Sequence, residues 1–413
     1  MDLDSASFNF DCRSCGTEHR VDVKKVVIAP GAAAGIEDLA ASLGLTPSEG
    51  IAVYDTNTFD ACEMHPQMKK EVILNAKNLH ANEQGIAHLR EKTSSCSFMV
   101  AVGAGTVHDL TRYTAFKMGI PFLSVPTACS VDGFASHSCS MTLNGLKTTV
   151  FTRMPMAICA DVDILRKAPL RLSLSGLGDM VGKYTALCDW QLASLLGDGA
   201  EAYCPSIGRM QKQAVSDVMQ TADKLPEKDA DAYAKLIYGL LLSGMAMQMA
   251  GSSRPAAGAE HYISHFWEME VLGIPTTGLH GERVGIGTLM ALRVYREILE
   301  AGPSYFSQYR GNLLSEEEQQ EIFGKLYGKI RMENAQDTTA SLTREILLEK
   351  WPQIAEILGQ LPEIHALESF YQAMGMRSSM EEIGLPSSEY EHTLRWSPYV
   401  RNKITLLRIA GRR

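Results

Sequence analysis

Short apolar runs with almost no polar interruption mark the first third of the chain. Residues 25–31 (KVVIAPG), 50–58 (GIAVYDTNT), 96–106 (CSFMVAVGAGT) and 120–127 (IPFLSVPT) each stop at a turn-forming or acidic residue. Runs of this kind, apolar on both faces, are the pattern of strands in a covered parallel sheet. Between them lie stretches of helical period, residues 35–45 (GIEDLAASLGL) and 68–92 (MKKEVILNAKNLHANEQGIAHLREK). The alternation predicts a parallel sheet with crossover helices, an α/β domain over residues 1–168. After residues 161–172 (DVDILRKAPLRL) the texture changes. Residues 179–196 (DMVGKYTALCDWQLASLL), 282–300 (ERVGIGTLMALRVYREILE) and 316–334 (EEEQQEIFGKLYGKIRMEN) carry helix formers at helical spacing and few β-branched runs. Residues 169–413 therefore read as an all-α domain, and the cleft between the two is the expected ligand site.

Composition narrows the function classes. A chain of 413 residues exceeds one core of ordinary size, so two or three domains of ~100–200 residues are expected. Hydrophobic residues make up 45%, charged residues 21%, and the net charge is −9 with no lysine or arginine block, which argues against a nucleic-acid partner. Nine cysteines, an odd number scattered before residue 205, make no disulfide framework. The opening MDLDSASFNF lacks the basic and apolar regions of a secretion signal, and the most apolar helical stretch, residues 236–251, is interrupted by Ser and Gly and is short for a bilayer. A cytoplasmic protein without a membrane span is the expectation.

Three loops at strand ends carry candidate chemistry. In VAVGAGTVHD, Gly103, Ala104, Gly105, Thr106 and Val107 end a strand and open a helix, where backbone N–H groups and the helix dipole suit a phosphate. The full G-x-G-x-x-G is absent, because His108 stands at the third glycine position, so a tight turn is an equally good reading. Asp55, ending the second strand, could accept from an adenosine ribose and repel a 2′-phosphate, or could cap the next helix. Residues 126–138 (PTACSVDGFASHS) follow the fourth strand and place Thr127, Ala128, Cys129, Ser130, Asp132 and Ser136 where α/β sheets bind ligands.

A fourth set lies in the second half. His261 and His265 are four apart in GAEHYISHFWE and share a helix face, and His280 follows in GLHGER. Neutral imidazole is a common metal ligand, and a catalytic ion takes about three protein ligands. Asp179, in a helix-opening GLGDMVGKYT, is another candidate ligand, although an acid there can also serve the helix dipole. On spacing alone the histidines read more readily as packed core residues.

Taken in order, GAGTVHD, PTACSVDGFAS, GLGDMVGKYTALCDW, GAEHYISH and GLHGERVGIGT resemble the motif set of the sn-glycerol-1-phosphate dehydrogenases, and most closely their bacterial AraM type, within the iron-containing alcohol dehydrogenase and dehydroquinate synthase-like superfamily. The C-terminal WSPYVRNKITLLRIAG is similar to that branch as well. The resemblance implies a Rossmann-like domain followed by a helical one. It implies Asp179, His261 and His280 as ligands of one divalent ion, nickel or zinc, with Asp132 and His265 as substrate contacts. It implies nicotinamide contacts from Asp55, residues 103–107, residues 127–130 and Ser136, with NAD(H) preferred because of Asp55 and NADP(H) possible. The implied reaction interconverts dihydroxyacetone phosphate and sn-glycerol 1-phosphate, in a homodimer. A polyol dehydrogenase on the same fold is the nearest rival. A dehydroquinate synthase-like lyase is disfavoured, since it would commonly carry Glu where Asp179 stands. Lys183, Arg254 and Arg283 lie near the motifs, yet none is assignable to the phosphate. Finally, CRSCGTEH (12–19) is a Cys-x-x-Cys with a nearby histidine; four metal ligands are not visible in it, and a hairpin turn is the expected reading.

Overall fold

The computed structural model describes residues 1–63, 65–93, 95–143, 146–197, 199 and 201–412. Its strands of three or more residues are, in chain order, β1 (Asp2–Asp4), β2 (Lys25–Ala29), β3 (Gly50–Asp55), β4 (Lys70–Leu74), β5 (Phe98–Gly103), β6 (Phe122–Pro126), β7 (Ser138–Leu143), β8 (Leu146–Phe151) and β9 (Ala157–Asp161). Seven of them form one sheet in the order β1-β2-β9-β6-β5-β3-β4. All neighbours are parallel except β1, which runs antiparallel at the β2 edge.

The apolar runs cover both faces, as the sequence predicts. Ala52, Tyr54, Phe98, Val100, Val102, Leu123 and Val125 pack on one side, with Leu39 of helix α1 (Ile36–Ser42). Ile51, Val53, Val72 and Leu74 pack on the other, with Leu89 of α3 (Glu83–Lys92) and Leu110 of α4 (Gly105–Met118). Helix α2 (Thr56–Ala61) follows β3 directly. Register aligns the carboxyl ends, Gly103 beside Pro126 and Asp55 beside Leu74, so the candidate loops leave the sheet on one edge.

Two local expectations change. Residues 68–92 are not one helix: Lys70–Leu74 is strand β4, paired parallel to β3, and only Glu83–Lys92 is helical. The VIL run at 72–74 has helical and strand readings of equal quality, and burial of Val72 and Leu74 under α3 and α4 decides for the strand. The β7–β8 hairpin, inserted between β6 and β9, was not visible as a separate element.

Past residue 169 the described elements are helices: α5 (Leu170–Val181), α6 (Lys183–Leu196), α7 (Pro205–Met219), α8 (Ala230–Ala250), α9 (Ala259–Glu268), α10 (His280–Ala301) and shorter ones to Ala410. The chain divides into two compact units, Met1–Met180 with Gln213–Gly251, and Val181–Lys212 with Ser252–Arg413. The expected border at 168/169 thus differs from this division, because α8 packs against the turn at Asp132–Ala135 in the first unit. Gly244 permits that approach: a Cβ there would lie 2.7 Å from the Asp132 carbonyl oxygen. In the second unit, Trp190 of α6, Phe266 and Trp267 of α9 and Tyr295 of α10 are fully buried. Buried Asp189 ties the unit together, accepting from the Ala259 and Leu406 N–H groups (both 2.9 Å) and from the Tyr295 hydroxyl (2.7 Å). Among the described residues no helix is long and apolar enough to cross a membrane.

Candidate active site

The β5–α4 turn has the form expected of a phosphate-binding turn. Ala104 is extended at the N-cap, and Gly105, Thr106 and Val107 open a helix of 14 residues. Their N–H groups have no acceptor within the helix, which is the physical basis of anion binding at such a terminus. A Cβ on Gly103 would lie 2.6 Å from that of Val107, so the strand meets the helix only with glycine there. His108 proves to be a support. Its Nδ1 donates to the Ala104 carbonyl (3.1 Å), so Nε2 accepts from the Ser124 hydroxyl (2.8 Å). Burial, aided by the Arg112 charge, pushes its pKa down to about 3, and the ring is neutral.

The loop after β6 is tied to this turn by Thr127 N–H donating to the Gly103 carbonyl (3.0 Å). Thr127, Ala128, Cys129, Ser130, Asp132 and Ser136 are all buried. The Cys129 thiol faces the core near the Tyr233 carbonyl (3.9 Å), and burial raises its pKa, so only the backbone at that position suits a cofactor. Arg112 of α4 shapes the far end. Its buried guanidinium donates to the carbonyls of Ser138 and Gly133 (2.7 Å each) and Phe134 (3.0 Å). Ser136 Oγ accepts from the Ser138 N–H (3.0 Å). Asp132 is held twice: its N–H donates to Asp179 Oδ2 (3.0 Å), and its own Oδ2 accepts from Ser243 Oγ (2.9 Å). Asp55 caps α2, with Oδ1 accepting from the Thr58 N–H (2.8 Å) while the Thr58 hydroxyl accepts from the Asp55 N–H (3.0 Å). The capping role is therefore present, and it occupies one carboxylate oxygen.

Asp179, His261 and His280 are brought together, each offering one ligand atom, all within 4.8 Å of one another. Asp179 and His261 are buried, and His280 is the first residue of α10. Glu260, whose role the sequence did not reveal, sits beside His261 and is inaccessible to solvent. Its Oε1 accepts from His261 Nδ1 (2.8 Å) and the Gly258 N–H (2.7 Å), and Oε2 accepts from the Thr185 hydroxyl (2.6 Å). A carboxylate against Nδ1 assigns the proton there and leaves the Nε2 lone pair for an ion. Two imidazoles and one carboxylate suit zinc, nickel or iron alike.

His265 is not part of that cluster. Its ring centroid lies 6.2 Å from that of His261 and 6.4 Å from that of His280, and its Nδ1 has no hydrogen-bond partner. Burial pushes its pKa well below the usual value; Glu268 opposes this, while the Arg401 charge and the two other histidines reinforce it. The ring is therefore a neutral single donor, which removes a protonated His265 as phosphate partner. The three cations flagged by position are engaged structurally. Arg254 pairs with Glu201 and donates to the Ile404 carbonyl (2.7 Å). Arg283 donates to the Gly278 carbonyl and faces Glu268 (3.5 Å). Lys183 is buried and donates to the Ala256 carbonyl (3.2 Å). Arg401, unflagged, acts electrostatically on both His265 and Lys329.

Comparisons with known proteins bear on the family and the fold. A profile of the family described as iron-containing alcohol dehydrogenase matches residues 27–169. The chain is 31% identical over 420 residues to a glycerol-1-phosphate dehydrogenase (NAD(P)+) of Geobacillus stearothermophilus, covering 96% of this chain and 95% of that protein. It is 40% identical to that of Bacillus licheniformis over 233 residues, which span 54% of this chain and 58% of that protein. Among solved structures, the sulfoacetaldehyde reductase of Bifidobacterium kashiwanohense in complex with NAD+ superposes with a TM-score of 0.60 at 16% identity, over 95% of this chain and 96% of that one, a likeness of fold.

Proposed function

This chain belongs to the glycerol-1-phosphate dehydrogenase (NAD(P)+) family, and we propose from that premise that it interconverts dihydroxyacetone phosphate and sn-glycerol 1-phosphate. The observation that carries the reading is the Asp179, His261 and His280 cluster, with Glu260 orienting His261. In the reducing direction one hydride and one proton add across the ketone, and NAD(P)H becomes NAD(P)+. Asp179, His261 and His280 would hold a divalent ion, which would supply Lewis acidity toward the carbonyl oxygen, and a bound nicotinamide would supply the hydride.

The chain's own groups do the rest. Asp132, fixed by Ser243, presents a carboxylate that can accept from a substrate hydroxyl. Neutral His265 donates one N–H to a substrate oxygen. Arg401, with Lys329, is the cationic partner we assign to the phosphate, since Arg254, Arg283 and Lys183 are committed to structural partners. The first-turn N–H groups of α4 receive the pyrophosphate, together with backbone of residues 127–130 and Ser136. Asp55 at the end of β3 disfavours a 2′-phosphate, so NADH is preferred over NADPH, a preference read from kcat/KM for the two. Nickel or zinc as the ion and a homodimeric assembly are carried from the family resemblance. The test of the site is His261→Ala. Metal content and turnover fall together while the fold persists; full metal occupancy in that variant would remove the assignment.

A further inference from the structure

Cys12, Cys15, His19 and Cys204 form a second cluster, each offering one ligand atom, all within 4.8 Å of one another. We propose that these four residues bind a structural Zn2+, a site separate from the catalytic ion. Only three of them are local in sequence. Cys204 follows 185 positions after His19, which is why residues 12–19 alone show an incomplete ligand set.

The geometry around His19 supports a ligand role. Its ring is buried, and Nδ1 lies 2.8 Å from the Met249 carbonyl oxygen. A carbonyl only accepts, so Nδ1 carries the proton and Nε2 carries the lone pair. That Nε2 is 3.3 Å from Cys15 Sγ. In a tetrahedral site with Zn–S about 2.3 Å and Zn–N about 2.0–2.1 Å, the sulfur-to-nitrogen edge is about 3.6 Å, so small movements admit the ion. A backbone carbonyl on the other ring nitrogen is the usual way a protein fixes a metal-bound imidazole. The Phe10 ring meets His19 edge-on at 5.2 Å and holds the same orientation.

The two nearer cysteines are set by the turn that carries them. Strands Phe10–Asp11 and Glu18–His19 pair antiparallel. Across the turn the Cys12 N–H donates to the Thr17 carbonyl (3.0 Å), and the Gly16 N–H donates to the Cys12 carbonyl (2.9 Å). Cys12 and Cys15 are thereby brought to one side of a ribbon too short to be stable alone. None of the nine cysteines is in a disulfide. Three thiolates and one imidazole, with no carboxylate, are a donor set for a closed structural zinc site, and they leave no position for substrate.

The test uses the full-length protein. Zinc is measured by elemental analysis, and cobalt(II) is exchanged into both sites. The expected spectrum contains intense near-ultraviolet thiolate-to-cobalt charge transfer with the visible bands of tetrahedral cobalt. Such thiolate bands cannot arise from Asp179, His261 and His280, so the two sites are read separately. Cys15→Ser loses one metal equivalent and these bands. Asp179→Asn loses the other equivalent and keeps them. Wild-type protein without thiolate bands, or with Cys12 and Cys15 joined in a disulfide, overturns the proposal. So does a Cys15→Ser variant that retains the full zinc content.

Discussion

Removing the charge of Glu260 tests the proposal that this carboxylate prepares His261 as a metal ligand. In Glu260→Gln the amide oxygen can still accept from His261 Nδ1 and the Gly258 N–H, which share Oε1. The new amide N–H then meets Thr185 Oγ, whose hydroxyl can turn wholly to the Gly182 carbonyl 3.1 Å away. No buried group is stranded, so the variant folds with a stability change of about 1 kcal/mol or less. The imidazole, however, loses a carboxylate partner and becomes a weaker base. Loss of such a partner costs ~10–100-fold in metal affinity, or about 1.4–2.8 kcal/mol, and the neutral replacement belongs at the lower end. Glu260→Ala leaves the Gly258 N–H and His261 Nδ1 without an acceptor and belongs at the upper end or beyond. The assay is competition with a chelator of known affinity, alongside the melting temperature of metal-stripped protein. The reasoning fails if both variants hold the ion as tightly as wild type while the stripped protein melts lower, because Glu260 would then serve only the helix start.

Three further outcomes follow from the same structure. His265→Ala keeps its metal and melts within a few degrees of wild type, yet loses ~5- to 150-fold in kcat/KM, the value of one or two lost hydrogen bonds; loss of metal would make His265 a ligand. Arg401→Ala weakens kcat/KM for dihydroxyacetone phosphate by ~10- to 150-fold through a lost charge-assisted contact but leaves dihydroxyacetone unchanged, and equal losses for both would remove the phosphate role. Burial pushes the Asp189 carboxyl up to about 7, so its contribution to stability is full below the unfolded value near 4 and is lost as pH rises through 7, by up to about 4 kcal/mol. Asp189→Asn should therefore unfold with a flatter pH dependence from 4 to 8 than wild type, measured by denaturant titration; parallel curves would contradict the shift.

The parallel sheet was legible because its central strands are buried on both faces, and uninterrupted apolar runs such as FMVAV state that directly. The β4 strand was not, since VIL inside a charged stretch satisfies a helical period equally well. The placement of α8 with the α/β unit was hidden for another reason: it depends on Gly244 meeting the Asp132 backbone, a contact across more than 100 residues. Within the site, the three ligand candidates were legible through residue type and the motif resemblance. Glu260 was not, although it adjoins His261. Neighbours on a helix point about 100° apart, and only the position in the first turn lets Glu260 fold back to the Gly258 N–H and the imidazole. Arg401, which we assign to the phosphate, lies within the WSPYVRNKITLLRIAG segment that resembles the family, but nothing in that segment marks it for this role, and Cys204 joins the Cys-x-x-Cys only through folding.

The central claim is that this protein reduces a phosphorylated ketone at an ion held by Asp179, His261 and His280. It is tested most directly by NADH oxidation with dihydroxyacetone phosphate and with dihydroxyacetone, in stripped protein reloaded separately with nickel, zinc and iron. The account predicts metal-dependent turnover with kcat/KM far higher for the phosphorylated substrate, and sn-glycerol 1-phosphate as product. Metal-independent turnover, or a preference for the unphosphorylated ketone, would contradict it.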